Sequence, residues 1–219
     1  MTAFFHTPKR RITEILAVLA TAAGKFIFMD NRAWRLPFIL FAILAWTGYI
    51  IYRSVSVPGI LAYWGFRKDN FRKVCRMLLA PGIMAIAAFF IIGGLQGTIL
   101  LHWHIIPVLV LYPLWGTIQQ LLLIALITGN LQDMEGQRLS KQVIVLVAAV
   151  LFALVHYPYG WLMAGTFFLA LAYGFVYLQA RNLFVLGLFH GWLGGLFYYT
   201  VLGRDAFAET FGVLFRIKS

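Results

Sequence analysis

The chain has 219 residues, of which 62% are hydrophobic and 11% are charged, and its formal net charge is +11. Soluble domains carry about 25% charged and about 45–50% apolar residues, so this composition excludes an ordinary soluble domain and indicates an integral membrane protein. The basic residues cluster in short loops beside hydrophobic runs, which is typical of membrane topology signals and not of nucleic-acid binding. The single cysteine, Cys75, excludes an internal disulfide.

Runs without Asp, Glu, Lys or Arg set the number of membrane spans. They cover residues 36–52, 77–132, 142–180 and 182–203. A spanning helix needs about 20 apolar residues, so these runs hold about one, two to three, two and one spans, respectively. With the N-terminal segment still to be assigned, the sequence predicts an all-α, polytopic membrane helix bundle with six to eight transmembrane helices.

The N-terminal segment fits several structures. A basic leader precedes residues 12–29, in which Glu14 and Lys25 leave only residues 15–24 uncharged. This stretch fits a tilted span with snorkelling ends, a helix at the membrane interface, or a cleaved signal peptide, which Glu14 disfavours.

The chain divides into three parts by composition. Residues 1–35 form the basic leader and an interfacial or first membrane helix, residues 36–203 form the transmembrane bundle, and residues 204–219 form an exposed C-terminal tail. Pro107 and Pro113 remove helical hydrogen-bond donors, and they predict a short or re-entrant helix at 98–112 before the next span. The spans are predicted at 36–52, 77–97, 114–130, 143–156, 161–180 and from Phe184 onward.

A basic loop lies between two hydrophobic runs at residues 67–76. Basic loops beside spans mark the cytoplasmic side, so we expect a multi-pass protein of the plasma membrane, or of the inner membrane if bacterial, with this loop in the cytoplasm. Its lysines and arginines are expected to contact anionic lipid headgroups.

The stretch FVLGLFHGWLGGL, residues 184–196, has an unusual pattern. It places Gly187, Gly191 and Gly195 at four-residue spacing, with His190 beside them. On a helix these glycines form one ridge that lets a neighbouring helix approach closely. His190 is expected to face protein, because an ionisable group facing lipid is costly.

Polar side chains within the other apolar runs suggest a shared site. They are Gln119, Gln120 and His156, which join His190 as candidate site residues. Polar groups within a membrane bundle are costly and tend to be functional, so we predict that the four line one intramembrane cavity. The alternative is a set of unrelated interhelical hydrogen bonds.

The same residues carry a resemblance to a known family. The span at 114–130, the FxxxH motif of Phe152 and His156, and LALAYGFVYLQARNLFVLGLFHGWLGG within residues 162–196 resemble the CPBP family of CAAX-protease-like and bacteriocin-processing (Abi) intramembrane peptidases. The GFRKDNFRK piece is also similar to the family. The resemblance covers about residues 60–200.

The resemblance implies a glutamate-dependent peptidase, in which a Glu-Glu-x-x-x-Arg motif works with FxxxH and HxxxN. Here Gln119 and Gln120 stand at the glutamate pair, Ile124 stands at the arginine, and FxxxH is intact. The last motif keeps His190 but has Gly194 at the asparagine. An engineered change of the glutamate pair would not explain the other two departures, so we favour natural divergence.

The departures bear directly on activity. A neutral amide is a poor proton acceptor, and none of the seven carboxylates lies within a confidently predicted span. One hypothesis is a CPBP-type intramembrane endopeptidase in which a metal or bound water compensates. The alternative is a non-catalytic membrane scaffold, immunity protein or substrate-binding pseudoprotease. The expected partners are the lipid bilayer and a membrane-embedded peptide or protein substrate, with no nucleic acid.

A divalent metal such as zinc is a candidate cofactor. His156 and His190 are the candidate ligands, and zinc would need at least one more. His102 and His104 are further candidates, but their spacing places them on different faces of a helix, so only one could contribute. The alternative for these two is an interfacial histidine pair beside Trp103.

The predicted spans set a condition on any shared site. His156 falls near the end of its span, whereas His190 lies about 12 Å along its own helix. If residues 161–180 cross the membrane fully, the two histidines meet only when both lie near mid-depth.

Overall fold

The computed structural model describes residues 7–28 and 32–215, and the regular elements in these ranges are all helical. The first residues of the basic leader and the last four residues of the tail lie outside the described ranges. The elements are α1 (Pro8–Phe28), α2 (Arg32–Ser56), α3 (Ile60–Trp64), α4 (Phe71–Gln96), α5 (Ile105–Gln120), a π-helix (Leu121–Gly129), α6 (Asn130–Asp133), α7 (Lys141–Leu154), α8 (Gly160–Gln179), α9 (Leu183–Thr200) and α10 (Ala206–Phe215).

The predicted all-α membrane helix bundle is confirmed. Among the described residues, five helices are long and apolar enough to cross a membrane. The segment predicted as a span at 143–156 is the shorter apolar helix α7. The spanning helices cover Trp34–Ser56, Phe71–Gln96, Ile105–Asp133, Gly160–Gln179 and Leu183–Thr200.

The segment around the two prolines differs from the prediction of a break. A single helical run of 29 residues extends from Ile105 to Asp133, with Pro107 in its first turn, where a missing N–H costs nothing. Pro113 lies inside the helix and leaves the carbonyl of Leu109 without its usual donor. The indole Nε1 of Trp192 donates to this carbonyl at 3.2 Å, which satisfies it from α9.

The predicted glycine ridge packs α9 against α5. A Cβ atom on Gly187 would lie 2.0 Å from Oγ1 of Thr117, and one on Gly191 would lie 2.3 Å from the nitrogen of Pro113. A Cβ atom on Gly195 would lie 3.0 Å from a side-chain carbon of Val108, so the contact between the two helices loosens toward the end of α9. The close approach that the spacing predicted is therefore confirmed.

The core of the bundle surrounds the π-helix, whose nine residues are all buried. A π-helix is rare, and it usually marks a functional segment. It begins directly after Gln120 and ends directly before Asn130, so it separates two buried polar side chains of the same run.

The N-terminal helix α1 docks through buried charges. Arg11 and Glu14 are 2% and 3% exposed, respectively. Nδ2 of Asn130 donates to Glu14 at 2.7 Å, and the hydroxyl of Tyr49 donates to its other oxygen. Arg11 donates to the hydroxyl of Tyr63 at 2.8 Å. Arg11 and Glu14, the charged residues that interrupt the apolar pattern of α1, thus attach this helix to the bundle through hydrogen bonds.

The C-terminal segment, which composition predicted to be exposed, carries α10. Ala206 and Ala208 of this helix are 1% and 5% exposed, and they lie against the bundle. Asp205 caps this helix by accepting hydrogen bonds from the backbone N–H groups of Phe207 and Ala208 at 3.0 Å, and Ala206 packs with Val108 and Tyr199.

Candidate functional site

Gln120 and His190 form the centre of the candidate site. The amide nitrogen of Gln120 lies 2.7 Å from Nδ1 of His190. An amide N–H can only donate, so Nδ1 accepts and, in the neutral ring, Nε2 carries the proton. Gln120 is fully buried, and its Oε1 atom has no hydrogen-bond partner in the described part of the chain. His190 therefore presents a fixed donor beside an unsatisfied acceptor.

His156 lies in the turn that follows α7. Its Nδ1 is 2.7 Å from the carbonyl oxygen of Phe152, four residues earlier. Because a carbonyl only accepts, Nδ1 carries the proton and Nε2 keeps its lone pair in the neutral ring. The FxxxH spacing thus fixes the tautomer of the histidine as well as placing the two rings together.

The Phe152 ring lies between the two histidines. Its centroid is 5.0 Å from that of His156 and 5.6 Å from that of His190. The short α7 makes this possible, since 14 residues rise only about 21 Å, less than the hydrocarbon thickness of a bilayer. His156 can therefore meet His190 at depth without an extended span.

The other positions that the resemblance singles out take part neither in the Gln120–His190 hydrogen bond nor in the ring contacts of Phe152. Gln119 is partly exposed. Ile124, at the position of the family arginine, is fully buried in the apolar core. Gly194, at the position of the family asparagine, offers no side chain, and a Cβ there would lie 3.9 Å from His190. The structure thus brings together Gln120, His156 and His190.

Carboxylates of the described residues make their hydrogen bonds elsewhere. None is hydrogen-bonded to Gln120, His156 or His190 within the ranges 7–28 and 32–215. In the described part of the chain, the groups bonded to the two imidazoles are the neutral amide of Gln120 and the main-chain carbonyl of Phe152, which also accepts from Oγ1 of Thr166 at 3.4 Å. The acids and their partners are Glu14 with Tyr49 and Asn130, Asp69 with Arg67, Asp133 with Tyr63 and Arg181, Asp205 with Tyr199 and His104, and Glu209 with Arg204.

The donor set of this cluster does not fit a zinc centre. Zinc takes at least three protein ligands in catalytic sites. Here the cluster supplies at most two imidazole nitrogens, one from His156 and one from His190, and no carboxylate is hydrogen-bonded to it in the described part of the chain. The unpaired Oε1 of Gln120 is a neutral and weak ligand.

Two hollows flank the helices that carry the cluster, and neither is lined by Gln120, His156 or His190. One, of about 460 Å³, is apolar and lies between α4 and α8, with Phe168 and Phe189 among its walls. The other, of about 720 Å³, lies beside α5 and α9 and has Lys68 and Arg72 at its edge.

A second cluster was not predicted as a unit. His102, His104 and Asp205 place their ligand atoms within 4.8 Å of one another, so the group could hold a metal ion. His102 and His104 lie in a turn before α5 and not on a helix, so the helical-face argument that only one of them could serve as a ligand does not apply to them. Asp205 was missed because it lies 101 positions beyond His104, and no local pattern links them.

Comparison with known proteins supports the family resemblance. Residues 101–195 match the family model described as "Type II CAAX prenyl endopeptidase Rce1-like". The matched segment contains Gln119, Gln120, His156 and His190, and it begins after the GFRKDNFRK piece. Neither the curated proteins nor the solved structures gave a match. The predicted resemblance to the CAAX-protease-like family is therefore confirmed over residues 101–195, where the chain is similar to this family of endopeptidases.

Proposed function

We propose that this chain is a membrane-embedded pseudoprotease, which holds a peptide segment against Gln120, His156 and His190 but does not use glutamate-activated hydrolysis. The observation that carries the proposal is the 2.7 Å hydrogen bond between Gln120 and His190. It puts a neutral amide on the imidazole, at a position of the family's glutamate pair. General-base catalysis contributes about 10²–10⁴-fold, and an amide cannot provide it.

The polar atoms that remain fit a peptide backbone. Oε1 of Gln120 and Nε2 of His156 are acceptors, and Nε2 of His190 is a donor. A peptide offers alternating N–H and C=O groups, and a buried unpaired acceptor costs about 1–3 kcal/mol until a donor reaches it. Peptide binding would remove that cost. Because the matched family is one of prenyl endopeptidases, a prenylated C-terminal peptide is the first substrate class to test.

The test compares the wild type with the double variant Gln119→Glu/Gln120→Glu in liposomes. A fluorogenic farnesylated peptide with a C-terminal CAAX sequence reports cleavage, and its unquenched analogue reports binding. We expect binding without cleavage above the liposome background for the wild type, and a gain of cleavage in the double variant. Wild-type turnover that is abolished by His156→Ala would overturn the pseudoprotease.

A second candidate is an active peptidase that uses His156 as its base. The free lone pair at Nε2 of His156 favours it, since the bond to Phe152 keeps the proton on the other nitrogen. The same assay separates the two, because this candidate requires cleavage by the wild type and loss of cleavage in His156→Gln. The pseudoprotease requires that neither protein cleaves.

We also propose that the basic loop, residues 67–76, faces the cytoplasm. It carries five lysines and arginines, of which Arg67 and Lys68 precede α4 and the other three lie in its first two turns, and this charge bias at the end of a span is typical of the cytoplasmic side. Cys75 is the only cysteine of the chain, and it lies partly exposed in this segment. A membrane-impermeant thiol reagent should label it in inverted vesicles and not in intact cells; the reverse pattern would refute the assignment.

A further inference from the structure

His102, His104 and Asp205 converge at one end of the bundle, outside the spanning helices. Nδ1 of His104 lies 2.5 Å from Oδ2 of Asp205, and Nε2 of His102 lies 3.5 Å from the same oxygen. Two imidazole nitrogens and one carboxylate oxygen are ligands that zinc-class ions bind together. The negative charge of the carboxylate is the charge that the Gln120 cluster lacks.

The carboxylate is oriented before any ligand arrives. Its Oδ1 atom accepts the hydroxyl of Tyr199 at 2.7 Å and the backbone N–H groups of Phe207 and Ala208 at 3.0 Å. These three donors occupy Oδ1 and turn Oδ2 toward the two imidazoles. Hydrogen bonds to the non-ligating oxygen are the usual way that proteins fix a metal-binding carboxylate.

The turn that carries the histidines is also held in place. The backbone N–H of Leu100 donates to the carbonyl of Tyr199 at 2.7 Å, and Oγ1 of Thr98 donates to the carbonyl of Thr200 at 2.7 Å. His104 is buried, and its ring packs against that of Phe207, with centroids 5.0 Å apart. The loop before α5 is thus tied to the end of α9, which limits how far the ligands can separate.

We propose that His102, His104 and Asp205 form a binding site for a divalent transition-metal ion of the zinc class. Nε2 of His102, Nδ1 of His104 and Oδ2 of Asp205 are the ligands, and a fourth position stays open for water. Bonds of about 2.0–2.2 Å place tetrahedral ligand atoms on the order of 3.3 Å apart. The 3.5 Å separation already suits this geometry, and the 2.5 Å pair must open by about 1 Å.

The proton balance of the site is simple. In the neutral ring, the Nδ1 proton of His104 lies between that nitrogen and Asp205, in the place that the ion would take. On binding, this proton moves to Nε2 of the same ring. His102 similarly moves its proton to Nδ1 and gives up the 3.3 Å contact with the backbone N–H of His104. Both imidazoles stay neutral, and the carboxylate provides one negative charge to the ion.

The ion would link two segments of the chain that are distant in sequence. It would join the turn before α5 to Asp205, the first capping residue of α10, across 101 positions of the chain. His102 and His104 lie within the segment that matches the Rce1-like family, whereas Asp205 lies beyond it. The site is therefore independent of the Gln120 cluster and of the proposed function.

The test uses chelator-treated protein that carries no polyhistidine tag, in detergent, titrated with Co²⁺ and Zn²⁺. Visible Co²⁺ absorption reports coordination by nitrogen and oxygen, and calorimetry reports the Kd of Zn²⁺. We expect one saturable ion per chain. His102→Ala and Asp205→Asn should each weaken binding at least tenfold, and Tyr199→Phe should weaken it about tenfold, as loss of an outer-shell hydrogen bond does.

Asp205→Asn is the decisive variant because asparagine also caps helices well, so α10 should remain docked. Circular dichroism and thermal unfolding without metal verify that the fold is kept. The matched control is His156→Ala/His190→Ala, which removes the same number of imidazoles from the other cluster and should bind the ion as the wild type does. Absence of saturable binding, unchanged affinity in Asp205→Asn, or loss of binding only in the control would each overturn the site.

Discussion

Gly191 of α9 lies directly against the backbone of Pro113 of α5. A Cβ atom on this glycine would be 2.3 Å from the proline nitrogen and 2.6 Å from its Cα atom, which is closer than atoms can approach. The two helices are therefore in main-chain contact, one residue away from His190. Since a helical side chain tilts toward the helix N-terminus, the contact at Gly191 directs His190 along α5 toward Gln120.

Gly191→Ala should consequently separate α5 from α9. Overpacking of a core typically costs about 1–3 kcal/mol, and here the new methyl group meets backbone and not a flexible side chain. We expect a clear drop in the temperature of unfolding in detergent. Gly194→Ala is the matched control on the same helix, because its Cβ would make only an ordinary 3.9 Å contact. Equal effects of the two changes would contradict the close approach.

The hydrogen bond from Trp192 to Leu109 gives a second prediction. Trp192→Phe removes the indole donor and leaves the carbonyl of Leu109 unpaired, which costs about 1–3 kcal/mol in an apolar setting. Pro113→Ala restores a backbone N–H in the helix, so it can donate to the same carbonyl. A double-mutant cycle should show that Trp192→Phe destabilises the wild type more than it destabilises Pro113→Ala. Additive effects would show that the indole does not replace the missing donor.

The bond between Gln120 and His190 predicts a spectroscopic difference. Gln120→Met keeps the approximate volume of the side chain but removes the donor to Nδ1 of His190. Imidazole ¹⁵N chemical shifts of selectively labelled protein should then show that His190 loses its fixed Nε2–H tautomer. Gln119→Met is the control, because Gln119 is partly exposed and lies outside the hydrogen-bonded cluster. Similar shift changes in both variants would argue against a specific role for Gln120.

The sequence was sufficient for the features that depend on local pattern. Apolar runs predicted the membrane helices, and four-residue spacing predicted that a neighbouring helix approaches closely at Gly187 and Gly191. These features need only the helical repeat and the bilayer thickness. Pro113 misled the prediction, because the donor that satisfies the helix comes from a residue 83 positions away.

The sequence was insufficient where distant residues meet. Glu14 looked like an isolated acid at the edge of an apolar segment, yet it receives hydrogen bonds from Asn130, which is 116 positions away. Asp205 looked like the start of an exposed tail, yet its carboxylate is hydrogen-bonded to Nδ1 of His104. A charge in an apolar segment signals that a partner exists, but its spacing does not identify the partner. Only the packing of α1 and α10 on the bundle does so.

The buried acid at the end of α6, Asp133, tests how much such partners contribute to stability. Asp133 accepts hydrogen bonds from Arg181 at 2.7 Å and from Tyr63 at 2.5 Å, and its side chain is 10% exposed. Asp133→Ala leaves the largely buried guanidinium of Arg181 without its charge partner, so we expect a loss of about 3 kcal/mol in the free energy of unfolding. Urea titration in mixed micelles, monitored by circular dichroism, measures this free energy of unfolding. Asp69→Ala removes the partner of Arg67 from a pair whose side chains are 40% and 61% exposed, so it should lower the free energy of unfolding much less than Asp133→Ala does. If Asp133→Ala lowers the free energy of unfolding no more than Asp69→Ala does, the prediction is wrong. The buried network would then contribute little to holding the connection between α8 and α9 against α3.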